Sequence, residues 1–147
     1  MPVAKIVILN WNGAEHLRRF LPSVVAAAPA GVEVMVADNG STDDSLRATE
    51  FPSVGVLRLE ANYGFAGGYN RALKQVEADY YLLLNSDIET PEGWLAPILD
   101  VLEREPDVAV VSPKLISWTD RTKFEYAGAS GGFIDFLGYP FCRGRIL

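Results

Sequence analysis

The protein has 147 residues, 49% of them hydrophobic and 22% charged, enough for one domain with a real core. A formal net charge of −6 argues against a nucleic-acid binder, which would carry a basic face. One cysteine, Cys142, and one histidine, His16, exclude an internal disulfide, a cysteine-based zinc site and a histidine-rich metal site. No apolar run approaches a membrane span. Met1-Pro2-Val3-Ala4-Lys5 leads straight into a strand pattern without a signal-peptide plan, so the expected location is cytoplasmic.

Residues 5–9 contain Ile6-Val7-Ile8-Leu9, a continuous apolar run that predicts a buried strand, followed by the loop Asn10-Trp11-Asn12-Gly13. Over residues 14–28, Leu17, Phe20, Leu21, Val24, Val25 and Ala28 recur at helical spacing, and Pro22 is expected to kink or divide that helix. His16 is expected on its solvated face, without a role. Residues 32–37 predict a second strand, closed by Asp38-Asn39-Gly40. Ser41-Thr42-Asp43-Asp44 predicts a helix start, with a hydroxyl cap and acids at the positive end of the dipole. A third strand is expected over residues 54–59.

Asn62-Tyr63-Gly64-Phe65-Ala66-Gly67-Gly68 runs into a helix whose apolar positions are Phe65, Tyr69, Ala72, Leu73 and Val76. Tyr80-Tyr81-Leu82-Leu83-Leu84 is apolar without alternation, which predicts a strand covered on both faces in the middle of a sheet. It stops at Asn85-Ser86-Asp87. Thr90-Pro91-Glu92 predicts another helix start, with Trp94, Leu95, Ile98, Leu99 and Leu102 on its apolar face. Residues 108–111, Val-Ala-Val-Val, predict a fifth strand, and Phe124-Glu125-Tyr126-Ala127 a further one. Residues 133–141 are apolar and aromatic with no clear period. Strand and helix alternate four times before the pattern fades, so the fold class is α/β: a Rossmann-like three-layer sandwich with a mostly parallel central sheet.

In a parallel sheet Asn10-Trp11-Asn12, Asp38-Asn39-Gly40 and Asn85-Ser86-Asp87 all lie at the carboxyl ends of strands, where open α/β sheets bind ligands. The ring of Trp11 and the amide of Asn39 suit a nucleobase. Asp87 suits a metal ion bridging to a diphosphate. Each piece also has a plain reading: a turn and cap at Asp38 to Asp43, a half-buried packing role for Trp11, close helix–sheet packing for Gly64, Gly67 and Gly68. No G-x-G-x-x-G follows the first strand and no Gly-Lys-Ser/Thr element is present, which argues against a dinucleotide oxidoreductase and a P-loop enzyme.

Four stretches, residues 7–12, 36–43, 62–70 and 83–87, in this order resemble the nucleotide-sugar-binding part of inverting family 2 glycosyltransferases of the GT-A fold, in particular the bacterial rhamnosyltransferase-like enzymes of cell-surface polysaccharide synthesis. The likeness covers roughly the first 115 residues. It implies that Asn10, Trp11 and Asn12 line the nucleotide, that Asp38 and Asn39 hold its base, and that Gly67, Gly68 and Asn70 let the sugar nucleotide approach closely. It also implies that Asn85, Ser86 and Asp87 match the DxD motif, with Asp87 as the ligand of a divalent metal, Mg or Mn.

The implied partners are a nucleotide-diphospho-sugar donor and a saccharide or lipid-linked acceptor. The likeness allows peripheral association of the full-length enzyme with the inner face of the membrane, and the apolar run after Gly131 allows a homo-oligomer. A single domain over residues 1–147 is expected, with a donor-binding core at 1–115 and the start of an acceptor-side region at 116–147. The family pattern continues beyond it, so a truncated transferase is expected. Inverting transfer needs a general base, and Asp120, Glu125 and Asp135 match no family motif for one. The alternative is a non-catalytic nucleotide- or sugar-binding module, or an inactive partner of a transferase.

Overall fold

The computed structural model describes residues 4–49, 51–126 and 130–143. The chain divides into two compact units, Met1–Leu95 and Ala96–Leu147.

The first unit is built on β1 (Ala4–Asn10), α1 (Ala14–Ala27), β2 (Glu33–Asp38), α2 (Ser45–Ala48), β3 (Val54–Arg58), α3 (Gly64–Leu73) and β4 (Tyr80–Asn85). The strands form one parallel sheet in the order β3-β2-β1-β4. In register, Ile6 faces Val34 and Leu82, and Ile8 faces Val36 and Leu84. Successive side chains point to opposite faces of a strand. Val7 and Ala37 therefore share one face, where they are buried with Tyr69, Ala72 and Val76 of the α3 segment. Ile6, Ile8, Val34 and Val36 fill the other face, and α1 contributes the buried Leu17, Phe20, Leu21 and Val24. Helices on both faces of a parallel sheet give the expected three-layer α/β class.

Two expectations about the sheet are corrected. The run at residues 80–84 does form β4, but at an edge: its exposure alternates, and Leu83 is 54% exposed. The strand covered on both faces is β1, with neighbours on both sides. Residues 108–111 form no strand, and Val110 is 82% exposed. An apolar β-branched run becomes a strand only when a neighbour accepts its backbone hydrogen bonds, and no described residue pairs with these.

The helices also depart from expectation. Pro22 does not divide α1, which runs through it as a single helix. The helix expected from Thr90 begins later, as α4 (Ala96–Arg104). Gly93 has φ +74°, outside the right-handed helical region, whereas Pro97 falls in the first turn, where proline is tolerated. In α2, Asp44 occupies the N-cap position without a side-chain cap bond. Asp43, one position earlier, accepts the Ser45 N–H instead, while Ser41 and Thr42 bond to Asn12.

In the second unit, the Ile116–Phe124 bridge closes a loop in which the Thr122 N–H and hydroxyl both donate to Asp120, and Lys123 pairs with it at 2.8 Å. The expected strand from Phe124 is reduced to that bridge, and Ala127 lies outside the described residues. The aperiodic stretch forms an antiparallel hairpin, β5 (Gly132–Ile134) and β6 (Pro140–Cys142). Its turn is organised by Asp135 Oδ1, which accepts from Leu137 N–H and Tyr139 N–H at 2.9 Å each. Asp120 and Asp135 thus each carry a turn. Among the described residues no helix is long and apolar enough to cross a membrane.

Candidate functional site

An open cleft of about 420 Å³ lies at the carboxyl ends of the strands, within the roughly 300–1,000 Å³ usual for ligand sites. Leu9, Trp11 and His16 line it from β1 and the start of α1. Asn39, Asn62, Gly64 and Phe65 line it from the end of β2 and the loop into α3. Asn85, Ser86 and Asp87 close it from β4. The parallel register explains the convergence: Asn10 is level with Asp38, and Leu9 with Asn85, so three chain segments leave the sheet at one rim.

Of the sequence-predicted residues, Trp11, Asn39, Asn85, Ser86 and Asp87 meet at this cleft. Trp11 is 56% exposed, a free aromatic face at the mouth. Asn10 and Asp38 are buried and Asn12 is exposed, and the three hold two loops together. Asn10 Nδ2 donates to Asp38 Oδ1 at 3.3 Å and to Ser41 Oγ at 3.2 Å. Asn12 N–H donates to Ser41 Oγ at 2.9 Å, and Asn12 Oδ1 accepts from Thr42 N–H at 2.8 Å. Asp38 Oδ2 accepts from Ser41 N–H at 3.2 Å. Asn12 has φ +50°, a left-handed conformation that Asn tolerates better than most residues.

Asp43 extends the same tie. Its Oδ2 accepts the Ala14 N–H at the start of α1 at 3.0 Å, across 29 positions of sequence, while its Oδ1 accepts the Ser45 N–H at the start of α2 at 3.0 Å. Desolvation pushes its pKa up, but hydrogen bonds from the Ser45 hydroxyl and from the Ala14 and Ser45 backbone outweigh it. The carboxyl rests below the ordinary aspartate value.

Asn39 is buried, and its amide locks the glycine-rich loop. Nδ2 donates to Asn62 Oδ1 and to the Gly64 carbonyl, both at 3.1 Å, and Oδ1 accepts from Tyr63 N–H at 3.1 Å. One lone pair is left for a ligand. Gly68 is a packing residue: a Cβ there would lie 2.9 Å from both Asn39 Nδ2 and a methyl of Leu9. Gly67 and the exposed Asn70 do not line the cleft. Tyr69 joins three elements, its hydroxyl donating to the Leu84 carbonyl at 3.1 Å and accepting from Leu9 N–H at 3.5 Å. Burial raises its pKa, against a smaller opposite effect of the Leu9 bond.

Leu9, His16, Asn62, Gly64 and Phe65 also line the cleft. Phe65 reads as a core position by spacing, yet it is 68% exposed and meets Tyr69 edge-on at 5.1 Å. Phe65 is the second residue of α3, at the end of the helix that borders the cleft. Asn62 accepts from both Asn39 and Gly64 N–H, and an Asn before a glycine-rich turn is a readable loop-lock signal. His16 carries no sequence signal that separates it from a solvated helix position.

For a divalent ion, Asp87 is the carboxylate of the cleft. Among the described residues no three His, Cys, Asp or Glu side chains cluster. That donor set suits an ion held by one carboxylate together with waters and ligand phosphates, the habit of Mg²⁺. It does not suit an all-protein cage.

Residues 5–139 match the model of glycosyl transferase family 2. The chain belongs to this family. Among its relatives is an N-acetylglucosaminyl-diphospho-decaprenol L-rhamnosyltransferase of Mycobacterium tuberculosis, 30% identical over 124 residues, which span 76% of this chain and 40% of that protein. A pre-mycofactocin glycosyltransferase of the same organism is 32% identical over 117 residues, 76% of this chain and 23% of its own length. The chain therefore spans well under half the length of these family members. The crystal structure of S. aureus TarS 1-349 in complex with UDP-GlcNAc superposes with a TM-score of 0.62 at 26% identity, over 70% of this chain and 32% of TarS. The α/β fold with its mostly parallel sheet is thus shared with TarS.

Proposed function

We propose that the cleft binds the nucleoside diphosphate of a sugar nucleotide. The protein would use it to transfer the sugar, with inversion, to a saccharide or lipid-linked acceptor in cell-surface polysaccharide synthesis. The observation that carries this reading is the meeting of Trp11, Asn39 and Asp87 in one cleft at the strand ends. Membership of a transferase family supports it, as does the UDP-GlcNAc complex of TarS. Likeness to a rhamnosyltransferase favours dTDP-rhamnose as the first donor to try.

In this reading Trp11 stacks on the base and Asn39 holds the Asn62–Phe65 loop in place beneath it. Asp38 acts through Asn10 and Ser41 as a positioning residue. Gly68 permits the close seat of α3, while Gly67 and Asn70 lie on its outer side. Asn85 and Ser86 present polar groups beside Asp87. A divalent metal at Asp87 would supply charge neutralisation of the departing diphosphate. Residues 1–115 form the donor-binding core and residues 116–147 begin the acceptor side.

Calorimetric titration with UDP-, GDP- and dTDP-sugars, with and without Mn²⁺, tests this. Saturable binding of one donor, strengthened by Mn²⁺, is expected, with the strengthening lost in Asp87→Ala. Binding without metal dependence and without transfer would favour a nucleotide-sensing module. Absence of binding to all three classes would reject the site.

A further inference from the structure

The charge of the cleft leaves a question that the proposed site residues do not answer. A nucleoside diphosphate is strongly anionic, and Asp87 adds a negative group beside it. Lysine and arginine are absent from the described lining, and His16 is the one basic side chain there. It sits exposed in the first turn of α1, its ring stacked loosely on Phe20 at 6.4 Å. Neither ring nitrogen has a hydrogen-bond partner among the described residues. The other cations of this helix point elsewhere: Arg18 reaches Asp44 at 3.9 Å, and Arg19 lies over Phe20 at 5.5 Å.

Resting on the nucleotide reading of the cleft, we infer that His16 is a phosphate-contacting residue, donating a ring N–H to the diphosphate from a different wall than Asp87. A hydrogen bond to a charged acceptor is stronger than a neutral one, and an imidazole tolerates solvent until the ligand arrives. The base would then be held by Trp11 and the diphosphate between His16 and the Asp87 side. Recognition would be split into a nucleoside part and a phosphate part.

The split is measurable. Wild-type protein, His16→Ala and His16→Gln are titrated with uridine and UDP, guanosine and GDP, and thymidine and dTDP, each with EDTA and with Mn²⁺. His16→Ala is expected to weaken the preferred diphosphate about tenfold and to leave its nucleoside unchanged. His16→Gln, which keeps an N–H donor, recovers part of the loss. Unchanged diphosphate affinity in His16→Ala, or an equal loss for nucleoside and diphosphate, overturns the inference while the nucleotide site stands. Failure of the wild-type protein to bind any of the diphosphates overturns the site reading and this inference together. A thermal melt of each variant separates unfolding from lost contact.

Discussion

At the residue scale, the side chains that look most like ligand contacts do two kinds of work. Trp11 and Asp87 face the cleft, whereas Asn10, Asn12 and Asp38 are consumed in binding one loop to another. Substituting the second kind would damage a site without removing a contact to ligand. Gly68 is the clearest steric case, because a methyl group there meets Asn39 and Leu9. Gly68→Ala is expected to cost about 1–3 kcal/mol by overpacking, read as a lower midpoint in urea. Asp43 gives a pH dependence. Its folded-state pKa is depressed, so its contribution is fully present above the unfolded value of about 3.9. It is lost as pH falls through the folded value. Asp43→Asn is expected to flatten the acid limb of a stability–pH profile below about pH 4 and to leave the neutral slope alone.

At the element scale, α3 is held to the sheet by apolar contact and by one hydroxyl. Tyr69 connects α3 to β1 through Leu9 and to β4 through Leu84. Tyr69→Phe keeps the ring and removes both bonds, leaving a buried N–H and carbonyl poorer by one partner each. A loss of about 1–2 kcal/mol is expected from chemical denaturation, with slower closure of the cleft floor showing as faster amide exchange at Leu9. The register of β1 with β2 and β4 is what makes three sequence-distant loops neighbours. Register follows from the buried pattern, since a slip of one residue would turn Ile6 and Ile8 to the wrong face. This part of the site was legible early: apolar runs that end in polar triplets, separated by helices, imply parallel strands with a common rim.

At the scale of the whole molecule, β3 and β4 form the two edges of the sheet, and β4 carries the larger exposed apolar side chains. Among the described residues β4 pairs on one side alone, and Leu83 and Tyr81 are exposed. Such an edge is a template for pairing with another chain. Concentration-dependent self-association is expected in analytical ultracentrifugation. Leu83→Lys should reduce it while changing stability by less than about 0.5 kcal/mol, as is usual for exposed positions. The same edge explains why the run at residues 80–84 misled. Continuous apolar sequence reports the capacity to be covered on two faces, and coverage itself depends on which elements pack there. Residues 108–111 make the complementary point: strand propensity without a partner among the described residues leaves no strand.

The sequence by itself determined the alternation of strand and helix, the parallel sheet and the three polar strand ends. These are local and periodic properties that any folded form must respect. The choice between wall and scaffold was made only in three dimensions. Whether Asp38 faces ligand or Ser41, and whether Phe65 and His16 reach the cleft or open solvent, depends on distances between segments far apart in the chain. Spacing along the chain carries no information about such distances.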